Sequence, residues 1–415
     1  MHRKIIIDNN RKPRVLIVGI QLFNKSDIDF EVLELASLCK TEDDEVVDSY
    51  IVKTDNIISS TFITIDKLEL IKSIALQNNI DKIIFNVDLL ARQRKNISQI
   101  MNLKIMDRNE VILNIFYQHA RTKVSKIEIQ LARLKYAYSR LVGIYDNLSR
   151  TGGGIGTKGP GEQEIEYKRR EIRVEIKKLR NKLDKIKERK TVQSNKRQDE
   201  FKCAIVGYTN SGKSTIMKSL TGYKSYIKDE LFATLDPITK ILHLNSYDTA
   251  VITDTIGFIQ NAPPELIDSF YETLSEIEDA DLNLHIVDIS SPYYQEQLET
   301  VDNVMNKLKF CQESIIIFNK IDLIYDEILL KNIKEKFPDA IFISALFNKN
   351  ITDLTDRIYS IYNKTYSTLE LPIEKCGIFY SSVKNKIPIK IVYNKDKCIV
   401  KFRKIYDNLI DKELK

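Results

Sequence analysis

The sequence predicts an α/β multidomain fold. A P-loop domain with a mostly parallel sheet is preceded by a small α/β domain and an antiparallel helical hairpin, and followed by a small α+β tail. Three observations carry this. The apolar run Cys203-Ala204-Ile205-Val206 enters the glycine-bearing turn Gly207-Tyr208-Thr209-Asn210-Ser211-Gly212-Lys213-Ser214, and helical Lys213 to Leu220 leaves it. Upstream, apolar strand-like runs alternate with helical stretches. Between the two, apolar residues recur at steps of three and four. The expected divisions are residues 1–118, 119–198, 199–365 and 366–415.

Within 1–118, residues 14–19, 46–53 and 82–87 read as strands, and 30–40, 66–77 and 92–101 as helices. This βαβα order predicts a small parallel sheet. Gly19 stands alone, so no dinucleotide fingerprint is present.

Residues 119–198 carry two apolar stripes. One is Ile127, Leu131, Leu134, Tyr138, Leu141 and Tyr145; the other is Ile165, Ile172, Ile176, Leu179, Leu183 and Ile186. Two helices bearing such stripes bury them against each other as a hairpin. The loop between them, Thr151 to Gly161, holds six of the chain's 13 glycines, far more than a helical turn requires. Ordering so much free backbone is costly. The loop therefore reads as a tip that orders against a partner, with Arg150 and Lys158 suited to phosphates. Residues 166–197 hold 14 Lys and Arg against 5 Asp and Glu, a local +9, whereas the whole chain is +6. Charge this concentrated points to a polyanionic partner.

Residues 199–365 carry the chemistry. Gly207 and Gly212 let successive N–H groups turn toward phosphate oxygens, and the following helix adds its N-terminal dipole. Lys213 should reach the β- and γ-phosphates, and the Ser214 hydroxyl should hold Mg²⁺. The segment around Phe232-Ala233-Thr234-Leu235-Asp236 is a mobile-loop candidate, and its residues are expected to contribute to nucleotide binding. The strand at 250–253 delivers Asp254-Thr255-Ile256-Gly257, which sets Asp254 near Mg²⁺ through water and lets the Gly257 N–H sense a γ-phosphate. The runs 284–288 and 314–318 are further buried strands, the second ending in Asn319-Lys320-Ile321-Asp322. The Asp322 carboxylate matches the paired donors of guanine and finds no such pair on adenine. Lys320 would pack over the base. Ser344-Ala345-Leu346 follows a short strand and would offer a backbone N–H to guanine O6. Four such motifs in order, each at a strand's C-terminal end, point to GTP and GDP as ligands and to GTP hydrolysis. Phe258 stands where many small GTPases place a water-orienting Gln, so the isolated chain is expected to hydrolyse slowly.

Residues 366–415 show a weak period of two at Ile387, Ile389 and Ile391. Pro388 limits that run to an edge strand. Five scattered cysteines with no C-x-x-C pair suggest neither a disulfide framework nor a zinc site, and a reducing cytoplasm. The four histidines are dispersed and read as packed or solvated. No stretch reaches the ~20 apolar residues of a membrane span, and the apolar run at Ile5 to Ile7 is too short for a signal peptide. A monomer is the expectation.

Several segments together resemble the HflX family of ribosome-associated GTPases, over most of the chain after about residue 80. They are Asp107 to Phe116 with His119-Ala120-Arg121-Thr122, Gly153 to Glu162, Leu231 to Pro237, and Asp254 to Ile259. The resemblance implies binding of the large ribosomal subunit and separation of the two subunits, with the Gly152–Gly161 tip reaching the peptidyl-transferase rRNA. It implies Thr234 as the second Mg²⁺ ligand beside Ser214, with Lys213, Thr234 and Gly257 as the hydrolytic residues. The place of Asn210 resembles that in GTPases that use K⁺ as a charge-stabilising ion. One segment departs from the family. At Thr61 to Lys67 its two glycines ahead of a lysine are absent, which puts a second nucleotide activity of that domain in doubt. A GTP-dependent RNA-binding module without subunit splitting, and a GTP-regulated scaffold for a protein partner, are the competing readings.

Overall fold

A computed structural model describes residues 11–22, 28–151, 160–194, 200–223, 231–232, 234–262, 276–310, 312–383, 387–394 and 397–414. They form two compact units. The first is Met1–Lys187 with Lys228–Asp236 and Gln260–Glu272; the second is Glu188–Ile227 with Pro237–Ile259 and Thr273–Lys415.

In the first unit, β1 (Arg14–Leu22), α1 (Ile28–Thr41), β2 (Glu45–Thr54), α2 (Ile65–Gln77), β3 (Lys82–Phe85), α3 (Ala91–Met101), β4 (Lys104–Asp107) and α4 (Arg108–His119) follow in order. The sheet runs β2-β1-β3-β4 and every pair is parallel. Val15 to Val18 of β1 are fully buried, as expected for a central parallel strand covered on both faces. One face packs Leu16, Val18 and Phe85 against Leu68 and Ile71 of α2 and Ile97 of α3. The sequence reading gave no strand at β4, whose four residues show too short a run to display a period. Asp107 closes β4 and caps α4 by accepting the Glu110 N–H at 3.0 Å.

The hairpin helices are α5 (Lys123–Thr151) and α6 (Pro160–Ser194). Ile127 and Leu131 pack with Leu179 and Leu183, flanked by Leu134, Ile176 and Ile186, so the predicted stripes meet. Tyr138 lies off this seam: its hydroxyl accepts from Arg173 Nε at 2.7 Å. Residues 152–159 of the glycine tip, and the side chains of Tyr145 and Ile165, lie outside the described residues.

The second unit is built on β5 (Phe201–Gly207), α7 (Lys213–Thr221), β6 (Ile238–His243), β7 (Thr249–Asp254), β8 (Leu282–Asp288), α8 (Tyr294–Lys307), β9 (Glu313–Asn319), α9 (Glu327–Lys336), β10 (Ile341–Phe342) and α10 (Ile351–Thr365). The sheet order is β10-β9-β8-β5-β7-β6, and β6 alone pairs antiparallel. Four nucleotide motifs therefore lie at one edge of the sheet, after the C-terminal ends of β5, β7, β9 and β10.

The tail comprises β11 (Tyr366–Pro372), α11 (Ile373–Val383), β12 (Lys390–Asn394), β13 (Lys397–Arg403) and α12 (Asp407–Leu414), with antiparallel order β11-β13-β12. The strand expected across Ile387 to Ile391 begins instead at Lys390, beyond Pro388, which can donate no ladder bond. It is an edge strand of the three-stranded sheet. Reading the cysteines as unpaired also needs correction: Cys376 of α11 and Cys398 of β13 form a disulfide, 22 residues apart in sequence. Their spacing carries no motif, and only the fold brings them together.

The tail is tied to the opposite edge of the larger sheet from the nucleotide motifs. Just before β7, Asp248 accepts from Lys401 Nζ at 2.7 and 2.5 Å and from the Tyr362 hydroxyl at 3.1 Å. Burial would raise this carboxyl, but Lys401 and Asn245 overcome it and hold it below the usual range. Just before β8, Asp281 takes a two-pronged pair from Arg403 at 2.7 and 2.8 Å.

Candidate nucleotide-binding site

The loop after β5 is shaped by residues that only glycine can replace. Gly207 has φ +152°, and a Cβ there would meet the Ile286 carbonyl oxygen at 2.3 Å. Gly212 has φ +92°, and its Cβ would lie 2.2 Å from Asn319 Nδ2. Asn210, also left-handed at φ +61°, is exposed. Lys213 opens α7, is buried, and donates from Nζ to the carbonyls of Tyr208 (2.7 Å) and Gly207 (3.2 Å). The Thr209 and Ser211 hydroxyls are buried, with no hydrogen-bond partner among the described residues. They are free donors in a loop already rich in N–H groups, which suits a polyanion.

The segment after β7 is pinned to this loop. Thr209 N–H donates to Phe258 O at 2.8 Å, and Phe258 N–H donates to Gly207 O at 3.1 Å. Gly257 passes so close that a Cβ would lie 2.8 Å from Lys213 Nζ. The Ser214 hydroxyl donates to Asp254 Oδ2 at 2.7 Å, which sets a hydroxyl and a carboxylate side by side, the donor set of a hard cation. Thr255 is turned inward, its hydroxyl donating to Ile205 O.

At the base end, Asn319 joins two motifs. Its Nδ2 donates to Ser211 O at 2.9 Å, and its Oδ1 accepts the Ala345 N–H at 3.0 Å. That bond engages the Ala345 N–H and leaves the Leu346 N–H as the backbone donor for a ligand oxygen. Lys320, at φ +67°, pairs with Asp288 at 2.6 Å. Asp322 follows Ile321 in a short 3₁₀ turn, and its Oδ1 is buried with no partner among the described residues. A ligand edge with two adjacent N–H donors would satisfy it.

Comparison with known proteins agrees with this geometry. Residues 202–320 match the family described as 50S ribosome-binding GTPase, residues 119–197 the GTP-binding GTPase Middle Region, and residues 30–117 the GTP-binding GTPase N-terminal region. A GTPase HflX of Caldanaerobacter subterraneus is 40% identical over 317 residues, 75% of this chain and 73% of the relative. This chain belongs to the HflX family of GTPases. A GTPase HflX of Alkalihalophilus pseudofirmus is 37% identical over 349 residues, covering 83% of this chain and 81% of that one. Among solved structures, a GTP-binding protein from Sulfolobus solfataricus in complex with GDP matches with a TM-score of 0.45 and 26% identity, over 85% of this chain and 99% of that chain. As an HflX-family member the chain binds guanine nucleotides and hydrolyses GTP.

The Phe232-to-Asp236 segment of this HflX-family GTPase belongs to the first unit. Its partners there are specific. His119 Nδ1 donates to Phe232 O at 2.9 Å, and the Phe232 ring meets Phe116 edge-on at 4.5 Å. Asp236 accepts from the Arg121 and Thr122 N–H groups at 3.3 Å, from the Thr122 hydroxyl at 2.7 Å and from the Ser125 hydroxyl. A carboxylate beside the N-terminus of α5 is favoured by the helix dipole. The sequence places Phe232 and Asp236 among the nucleotide-binding residues; here those two side chains are committed to the α4–α5 corner. Leu235 is buried, and Ala233 lies outside the described residues. Asn261, just past the second switch, is held similarly: its carbonyl accepts from Arg108 and its amide donates to Glu31, both at 3.4 Å. His119, Thr122 and Ser125 had no role assigned from the sequence. The pattern Thr122-x-x-Ser125 before an apolar-periodic run is a helix-start signature that marks this corner.

Charge in the site is finely poised. Burial lowers the Lys213 amine to about 8; Asp254 opposes this and Lys320 adds to it. Burial likewise lowers His285 on β8 to about 4, so it stays neutral and is a packed core residue. A polyphosphate beside Lys213 favours its charged form, so binding must take up a proton wherever the free protein has lost it. At pH 8.5 GDP binding should take up a substantial fraction of a proton per site, falling toward zero below pH 7. Titration calorimetry in buffers of differing ionisation enthalpy reads this directly. Equal heats in all buffers at pH 8.5 would place Lys213 outside the phosphate contact.

Proposed function

We propose that this GTPase binds the large ribosomal subunit and dissociates or rescues ribosomes, hydrolysing GTP to GDP and phosphate. Its four parts, residues 1–118, 119–198, 199–365 and 366–415, would divide the work. The Gly152–Gly161 tip and the basic helix engage rRNA, and the nucleotide unit times that engagement. One observation supports the reading above the rest. Helix α6 spends Leu179 and Leu183 on its partner helix and leaves Lys177, Lys178, Arg180, Lys182 and Lys185 exposed. A helix that repels itself in this way is stabilised by a polyanion.

In the hydrolytic reading, the loop N–H groups and Lys213 hold the phosphates. Ser214 and Thr234 would hold Mg²⁺, with Asp254 near it through water. The metal, when bound, neutralises charge on the β- and γ-oxygens. Gly257 offers its N–H to the γ-phosphate. Asp322, Lys320, Asn319 and the Leu346 N–H hold the base. Asn210 would offer its amide oxygen to K⁺. Phe258 is buried against the loop and has no group that orients water. The protein acts as a monomer in the cytoplasm.

The test is GTP turnover by the purified chain alone and with large subunits, in K⁺ and in Na⁺ buffers. Slow turnover alone and a rise of about 10²-fold or more with large subunits is expected, of the order that supplying one missing stabilising group gives. A higher rate in K⁺ supports Asn210 as a cation ligand. Equal rates with and without large subunits would overturn the dependence on the ribosome, and a stimulation by free RNA of equal size would favour an RNA-binding module.

A further inference from the structure

Outside the nucleotide site, the first unit holds a cavity of about 780 Å³ where α3, β4, α4 and α5 meet. β4 is the edge strand of its sheet, so the space beside it is closed by helices instead of a further strand. Helical spacing aims one face of each helix inward: Ala91, Arg94, Lys95, Ser98 and Gln99 from α3, and Arg133, Ala137, Arg140 and Leu141 from α5. Five cations line it, Arg94, Lys95, Lys104, Arg133 and Arg140, against one carboxylate, Glu110.

Two of the five are already neutralised. Arg94 pairs with Glu110, and Arg140 pairs with Asp107, with Glu110 Oε1 3.4 Å from its Nη1. The other three are not. Arg133 donates to Asn114 Oδ1 at 2.7 Å and lies over the Tyr117 ring at 4.4 Å, both neutral partners. Neither Arg133, Lys95 nor Lys104 has a carboxylate within 4 Å among the described residues. Three cations that make no close ion pair among the described residues therefore face one space, beside the apolar floor of Met106, Leu113 and Leu141 and the amides of Gln99 and Asn114. A volume of this size suits a small organic ligand. Arginine presents a fork that fits phosphate oxygens, and the lysines add mobile point charges.

We infer that this cavity binds a small phosphorylated metabolite: its phosphates lie among Lys95, Lys104 and Arg133, and its apolar body lies on Met106, Leu113 and Leu141. The site is separate from the nucleotide loop and does not depend on the ribosomal reading.

The probe is inorganic pyrophosphate, titrated calorimetrically into full-length protein loaded with one equivalent of GDP and Mg²⁺, so that the phosphate loop is filled. One further equivalent should bind. Lys95→Ala/Lys104→Ala, both on exposed lysines, should weaken it at least about tenfold while the melting temperature stays unchanged. Arg133→Ala should weaken it similarly. Lys177→Ala/Lys178→Ala on α6, outside the cavity, should not. Absence of a second equivalent, or unchanged affinity in the Lys95/Lys104 variant, overturns the site. A single-stranded RNA that loses affinity in that variant while pyrophosphate fails to bind would make the surface an RNA contact instead.

Discussion

Lys213→Ala is expected to lower GTP turnover by about 10²- to 10³-fold, the scale set by removing one pre-positioned donor from a charge-stabilising site. The side chain is enclosed, so removing it also frees the Tyr208 and Gly207 carbonyls that it bonds. Its effect on chemistry is separated from any effect on folding by measuring GDP affinity and thermal stability alongside turnover. Gly257→Ala tests the same point from the other side, because a Cβ there would press on Lys213 Nζ and Thr209 Cα at 2.8 and 2.9 Å. Turnover by Lys213→Ala within threefold of the parent would remove the lysine from the mechanism.

Asp322→Asn is expected to exchange guanine for xanthine preference. The native carboxylate needs two donors, and its Oδ1 finds none among the described residues. Asparagine presents one donor and one acceptor, which fits xanthine's N1–H and C2 oxygen and leaves an amine facing guanine's amine. A site built around hydrogen bonds rejects the mismatched ligand by about 10⁴-fold, so affinity for GTP should fall by that order while XTP gains. Competition between the two nucleotides in calorimetry reads the ratio. A variant that still prefers GTP would show that Asp322 does not read the base.

These two sites were legible in the sequence because their chemistry is local. A phosphate loop needs glycine at fixed offsets, and Gly207 and Gly212 sit where a side chain would strike Ile286 O or Asn319. Buried parallel strands show as unbroken apolar runs, and so β5, β8 and β9 were visible. The hairpin stripes were visible for the same reason: Ile127 and Leu183 follow a period. What stayed hidden was tertiary. β4 is too short to display a pattern. Cys376 and Cys398 meet only when α11 is laid over β13. Asn319 reads in the sequence as one letter of a base-recognition motif, whereas in the fold it also fastens Ser211 to Ala345. Asp236 belongs to a mobile-loop candidate in sequence, yet its carboxylate is held by Arg121 and Thr122 just ahead of α5 and by the Ser125 hydroxyl.

The segments flanking both switches are held within the first unit, one by His119, Thr122 and Ser125 and the other by Arg108 and Glu31. Thr234 lies between Phe232 and Asp236.

The measurement that tests the central claim most directly is co-sedimentation of the protein with purified large ribosomal subunits, with a non-hydrolysable GTP analogue or GDP, across a salt series. Binding should be stronger with the analogue and should fall steeply as salt rises, because several exposed cations of α6 release counterions from rRNA. Binding that is independent of the nucleotide and flat with salt would contradict a guanine-nucleotide switch driving a cationic hairpin onto RNA.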